Sequence, residues 1–444
     1  MIIKRDKALE KLIKSQGNGF VKIITGIRRC GKSYLLFSLF RRHLLKSGVP
    51  ADHIIEIDLE NDKFADLRRA DTLGEYIRSE LKGKKGKKYV LIDEIQLCKK
   101  ILPPDIDLSR FDPKDRHDCY LTFYSVLSGL KTKRDVDVYV TGSNSKLLSS
   151  DVATEFRGRG QVIHLTPLSF AEYYPLKKKN AVHPLEILQE YMLFGGLPEC
   201  VLAKDNLERA NYLKDLYKTI YLKDIINRYK LHDETIINAV TDIVMSSVGC
   251  LTNPNKLANT LRSVSNIPCS RITVTRHLGY LENAFLISKA ARFDVRGKRY
   301  VNHLSKYYAE DTGLRNARMN LRQVEFTHLM ENVIYNELRR NGYSVDVGVV
   351  NSETSKEGKH VRTSSEIDFV VNRGYDRIYI QTAWRIPDEK KMEQESFSLK
   401  NTNDSFRKVI IDGNIFSAKY IDTNGIGHIG VIDFLLDPSS IEKL

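Results

Sequence analysis

The sequence predicts an α/β protein with a parallel-sheet core first, a helical middle region next and a second α/β domain last. Three observations carry that reading. Short apolar runs suited to buried strands, at 21–25, 54–59, 89–96 and 136–141, alternate with helix-forming stretches as in βαβ units. From Leu185 to Ile226 the strand signal gives way to consecutive amphipathic helices. Strand-like runs return at 366–371 and 379–384. At 444 residues the chain exceeds what one core supports, and domains are expected at 1–175, 176–310 and 311–444.

Met1 to Gln16 reads as an amphipathic lead-in helix, and Gly17-Asn18-Gly19 turns the chain into the first strand. Between that strand and a helix at 33–45 stand Gly26, Ile27, Arg28, Arg29, Cys30, Gly31, Lys32 and Ser33, followed by Tyr34. Their spacing is the G-x-x-x-x-G-K-[ST] of a phosphate-cradling P-loop. Glycines let successive backbone N–H groups turn inward. Lys32 has the reach for β- and γ-phosphate oxygens, and the Ser33 hydroxyl suits Mg²⁺. A helix N-terminus behind the loop favours the same anion. Residues 26–34 are therefore the expected ATP cradle, with Cys30 acting through its backbone amide.

The third strand, Tyr89–Gln96 (YVLIDEIQ), ends in two acids. Asp93 is expected to hold the Mg²⁺ shell with Ser33, and Glu94 to polarise a water for in-line attack. After a Pro-containing excursion at 98–119 and a helix at 120–130, strand 136–141 delivers Ser143 and Asn144 to the same edge. Either residue suits a γ-phosphate sensor there, and Asn144 equally suits the cap of a helix at 146–148. Arg157 and Arg159 flank Gly158 and are candidates for an arginine finger, with Arg159 ahead. A finger supplied in trans would imply a homo-oligomer.

The formal net charge of +14 favours an acidic partner, nucleic acid first, although lysine runs such as 82–88 usually mark solvated loops. Six scattered cysteines without metal-like spacing fit reduced thiols. No apolar run approaches membrane-spanning length, so the expectation is a cytoplasmic protein with no membrane partner.

Residues 232–308 read as a winged helix. Helices are expected at 233–247, 255–264 and 270–283, followed by β-rich runs at 284–293 and 298–308. On DNA the third helix would present Arg271, Thr275 and Arg276 to the major groove, and the wing would bring Arg296, Lys298 and Arg299 to phosphates. Winged helices equally pack on proteins. Further on, Glu331 on a helix, Asp368 at the end of EID and the strand YIQTAW (379–384) resemble a nuclease order of helix Glu, strand Asp, then Glu-x-Lys. Gln381 stands where the second acid belongs and Ala383 where the lysine belongs, with Lys390 and Lys391 as substitutes from elsewhere in the chain. The expectation is a scaffold or nucleic-acid platform without cleavage, and a surface for a protein partner.

The ordered set TGIRRCGKS, YVLIDEIQ, YVTGSNSKLL, FRGRG and TPLSFAEYY resembles a widespread prokaryotic family of AAA-type ATP-binding proteins with a C-terminal restriction-endonuclease-like domain of unknown function. Phe194–Pro198 (FGGLP) looks like a further motif of that family, and is also readable as plain core. The resemblance implies an AAA/ASCE-type P-loop NTPase core, a helical lid and winged-helix middle, and a nuclease-like end, with ATP and Mg²⁺ as cofactors. The expected function is Mg²⁺-dependent ATP hydrolysis that drives or gates rearrangement of the later domains, on DNA or a protein partner. A nucleotide-gated DNA-binding or signalling switch with negligible turnover is the alternative. An ATP-dependent nuclease is a third reading, which Gln381 and Ala383 disfavour.

Overall fold

The computed structural model describes residues 3–131, 135–143, 160–178, 182–322, 324–356, 359–413 and 419–444. These form two compact units, Met1–Thr166 and Pro167–Leu444.

The first unit opens with helix α1 (Asp6–Lys14) and strand β1 (Val21–Thr25), then a π-helical segment, Tyr34–Phe40, that runs into α2 (Arg41–Lys46). Strand β2 (Ile54–Asp58), helix α3 (Ala70–Leu81), strand β3 (Lys88–Asp93), helix α4 (Phe123–Lys131), strand β4 (Val136–Gly142) and strand β5 (Gly160–His164) follow. The strands make one five-stranded sheet in the order β2-β3-β4-β1-β5, every pair parallel. β1 and β3 are buried at every residue, which is why they read as predominantly apolar runs. Lys22 is the charged residue in β1. Its ammonium pairs with Asp137, whose carboxylate also accepts from the Tyr139 hydroxyl at 3.1 Å and the Gly17 N–H at 2.9 Å. A buried cation persists only with such partners. The sheet order has a functional consequence: β4 lies between β1 and β3, so its C-terminal end emerges between the P-loop and Asp93.

The second unit begins with helices α5 (Phe170–Lys177), α6 (Pro184–Phe194), α7 (Pro198–Leu202), α8 (Asn206–Leu216) and α9 (Lys223–Tyr229). Its entry is fixed by a capping box, in which Ser169 accepts from the Glu172 N–H and the Glu172 side chain accepts from the Ser169 N–H. Three helices, α10 (Thr235–Ser246), α11 (Pro254–Val264) and α12 (Arg271–Asn283), precede an antiparallel hairpin of β6 (Ile287–Asp294) and β7 (Arg299–Ala309). Helices α13 (Thr312–Arg318) and α14 (Phe326–Arg340) lead to β8 (Ser344–Lys356), β9 (Lys359–Arg373) and β10 (Asp376–Ala383). Helix α15 (Glu389–Lys400), strands β11 (Arg407–Asp412), β12 (Tyr420–Ile421) and β13 (Ile426–Gly430), and helix α16 (Val431–Leu436) complete it.

The hairpin expected as a wing is built into a larger sheet. Strand β6 pairs in parallel with β8 through Arg292, Phe293 and Asp294, giving an eight-stranded order β12-β13-β11-β10-β9-β8-β6-β7. The boundary expected at 310 therefore falls within one compact unit and one sheet, because backbone ladders run across it.

The FGGLP stretch is a packing joint. Gly195 has φ +72, and a Cβ there would stand 2.1 Å from Asp311 Oδ1. Asp311 needs that space, because its carboxylate accepts from the Gly196 N–H at 2.8 Å and caps α13 through the Leu314 N–H at 3.0 Å. Gly195→Ala is expected to cost about 2–4 kcal/mol, through strained backbone plus a displaced cap. Thermal or urea unfolding of the variant measures it, and an unchanged midpoint would refute the joint.

Candidate nucleotide and metal site

The P-loop connects β1 to the helix that starts at Lys32, with the Leu35 N–H donating to Gly31 O at 2.9 Å in its first turn. Gly26 has φ +148, and a Cβ there would lie 2.0 Å from Leu165 O, so only glycine fits against β5 and its exit. Arg29 at φ +62 and Gly31 at φ +95 continue the curl that turns amides inward. Lys32 is buried at 4% exposure and donates to Gly26 O at 3.1 Å and Ile27 O at 3.2 Å. Its ammonium thus lies over the loop. Arg28 leans outward to Glu60 at 3.6 Å, and Cys30 is buried with its Sγ donating to Leu165 O at 3.4 Å.

The two acids arrive from β3. Asp93 Oδ2 accepts from the Ser33 hydroxyl at 2.6 Å, and its Oδ1 accepts from the Thr141 hydroxyl of β4. Burial pushes the Asp93 carboxyl up to about 6. The Ser33 and Thr141 hydrogen bonds pull the other way, Glu94 adds to the rise and Lys32 opposes it. An exposed hydroxyl beside a buried carboxylate is a hard-oxygen donor pair of the kind Mg²⁺ takes, open to solvent on the Ser33 side, and a divalent charge would relieve the burial cost of Asp93. On that chemistry, Ser33 and Asp93 fit the ion.

Glu94 is buried and sits in the left-handed region at φ +50, ψ +50. Three contacts hold it there. Its N–H donates to Thr141 Oγ1 at 3.0 Å, its Oε1 accepts from the Ser143 hydroxyl at 2.6 Å, and its Oε2 accepts from the Gln96 amide. The far oxygen of that amide, Gln96 Oε1, is buried without a partner.

Ser33, Asp93, Glu94 and Ser143 are thus linked side by side, as their sequence positions implied. Asn144, Arg157 and Arg159 lie outside the described residues. Sequence reasoning missed Thr141, Gln96 and Arg5. Arg5 is buried and donates to Cys30 O at 3.0 Å and Thr166 O at 2.7 Å, pinning the P-loop from the start of α1. Thr141 had a signal, as the residue ending a strand beside an acid-bearing one, whereas an arginine ahead of an amphipathic helix has none.

In the second unit, Arg271, Thr275 and Arg276 are exposed on α12, and with Ser270 and Ile272 they line one surface concavity. Lys298 and Arg299 are exposed at the hairpin turn. Arg296 is also exposed, and its guanidinium donates through Nε and Nη2 to Asn401 O at 3.0 and 2.7 Å. Glu331 stands on α14, Asp368 on β9, and Gln381 and Ala383 on β10. Lys391 pairs with Glu395 at 2.6 Å, and Lys390 is exposed.

Residues 18–174 match the AAA domain family, and the loop, sheet order and paired acids make the first unit an AAA-type P-loop domain. Residues 185–325 match a domain of unknown function (DUF8612). Over 437 residues the chain is 32% identical to an uncharacterized protein of Haemophilus influenzae, covering 98% of this chain and 99% of that one, and it belongs to that protein's family. An uncharacterized protein of Methanocaldococcus jannaschii is 26% identical over 93% of this chain and 88% of its own. Among solved structures, a Walker-type ATPase of Pyrococcus abyssi aligns at TM-score 0.46 and 14% identity, over 72% of this chain and 96% of its own. Among the described residues no helix is long and apolar enough to cross a membrane.

Proposed function

We propose that this protein binds ATP with Mg²⁺ at residues 26–34 and hydrolyses it, and that nucleotide state gates the second unit. The observation that carries the reading is the joining of Ser33 to Asp93 and of Ser143 to Glu94 at the edge where β1, β3 and β4 end. The loop amides and Lys32 bind the phosphates. Ser33 and Asp93 hold the ion, which when bound neutralises charge developing on the transferred phosphoryl group. Glu94, fixed by Ser143 and Gln96, takes a proton from the attacking water. Arg159 or Arg157 is the proposed finger and Asn144 the proposed sensor. Steady-state ATP hydrolysis with Mg²⁺, with and without duplex DNA, tests the reading, and the absence of any turnover or binding would end it.

A second reading, nucleotide-gated DNA binding with negligible turnover, is favoured by the exposed Arg271, Thr275 and Arg276 on α12 together with the net charge of +14. If α12 meets DNA, replacing Arg271 and Arg276 by alanine is expected to lower the slope of log affinity against log salt by about 2. Titration of labelled duplex at several salt concentrations reads this, and an unchanged slope would exclude α12 as the contact.

A further inference from the structure

Inside the second unit a largely buried cluster, partly exposed only at Glu366, joins four ionisable side chains that the chain supplies from three elements. Lys306 enters from β7, Glu331 from α14, and Glu366 and Asp368 from β9. The Lys306 Nζ lies 2.8 Å from Glu331 Oε1, 2.7 Å from Glu366 Oε1 and 3.9 Å from Asp368 Oδ1. Lys306 is 4% exposed. The Tyr308 hydroxyl donates to the same Glu331 oxygen at 2.6 Å. Asp368 Oδ2 accepts from the Thr382 N–H at 2.8 Å and its hydroxyl at 2.7 Å.

Two buried carboxylates, Glu331 and Asp368, with the half-buried Glu366 beside them, repel one another unless a cation stands among them. The nuclease order read from the sequence implies a divalent metal on Glu331 and Asp368, and the surroundings do not fit that ion. Gln381 brings no charge; its Oε1 accepts from the Asp368 N–H at 3.4 Å and its Nε2 donates to Glu395 at 3.1 Å. Ala383 brings no polar group. Among the described residues no three His, Cys, Asp or Glu side chains are arranged to hold a metal ion. The cation that does reach these carboxylates is the Lys306 ammonium. A Mg²⁺ ion needs oxygens at about 2.1 Å, so binding to the oxygens that Lys306 contacts would force it against Nζ and its charge. Burial opposes that charge, but Glu331, Asp368 and Glu366 outweigh it and hold the ammonium above its usual range.

We propose that Lys306 is a resident cation that closes this carboxylate cluster to divalent metals, making it a charge-locked joint between β7, α14 and β9 instead of a phosphodiester-hydrolysing centre. The lysine that the nuclease order asks of β10 is absent, and a lysine from β7 occupies the place of the metal.

The test uses the full chain and Tb³⁺ as the probe, read by tyrosine-sensitised emission. Tyr308 is bonded to Glu331 and stacks on Tyr335 at 4.0 Å, so an ion among these carboxylates would sit beside an antenna. In the wild type, emission is expected to be the same with and without Asp368→Asn, since any Tb³⁺ bound lies outside this cluster. Lys306→Ala and Lys306→Met are expected to gain emission at tenfold lower Tb³⁺ or less, to lose it on adding Asp368→Asn, and to become thermally stabilised by millimolar Mn²⁺. Two results would overturn the proposal: wild-type Tb³⁺ binding or Mn²⁺-dependent DNA cleavage removed by Asp368→Asn, or folded Lys306 variants that bind no more metal than wild type. Should both variants fail to fold, the comparison of wild type with Asp368→Asn decides alone.

Discussion

Glu94→Gln is expected to keep ATP affinity within a few-fold of wild type while turnover falls by roughly 10²–10⁴. The substitution keeps the size of the side chain, and the amide oxygen still accepts from the Ser143 hydroxyl that now bonds Glu94 at 2.6 Å. What disappears is the ability to take a proton from water. The left-handed backbone at φ +50 strengthens the expectation, since strain of this kind persists where the surroundings hold a side chain in one place. Steady-state hydrolysis combined with fluorescent-nucleotide titration separates the two effects. Equal rates in variant and wild type would remove Glu94 from the reaction, and a large loss of affinity would move it to the binding set.

The second large effect concerns Lys32. Its ammonium donates to Gly26 O and Ile27 O from a site that is 4% exposed, so it is held over the loop whose amides face the phosphates. Lys32→Ala removes a charge-assisted contact of about 3 kcal/mol, and ATP affinity is expected to fall roughly 10²-fold. The fold should survive, because the lysine's own partners are loop carbonyls that water can reach once the side chain is gone. Isothermal titration with ATP and Mg²⁺, beside a thermal melt, checks both halves. Undiminished affinity would mean that the nucleotide phosphates lie elsewhere.

The parts of this site that were legible in the sequence are those encoded locally. Strands β1 and β3 are buried on both faces and so appear as largely apolar runs, Lys22 apart. The P-loop spacing lies within nine residues, and Asp93-Glu94 ends its strand as chemistry requires. Pairings set by tertiary structure were not legible. Thr141 meets Asp93 only because β4 inserts between β1 and β3. Arg5 reaches Cys30 and Thr166 across the whole first unit. Lys306 is one of 70 lysines and arginines, and its partners are 25, 60 and 62 residues away, so nothing in its neighbourhood marks it. The hairpin at 287–309 was visible as two strands, but its pairing to β8 was not, because a strand's own pattern does not name its neighbour.

That pairing has a practical meaning for how this chain can be dissected. Cutting after Glu310 would strip the β8 ladder from β6 and leave both fragments with raw sheet edges open to other chains, the exposed condition that drives edge-to-edge aggregation. The clean place to divide the molecule is Thr166–Pro167, where one compact unit ends and the next begins.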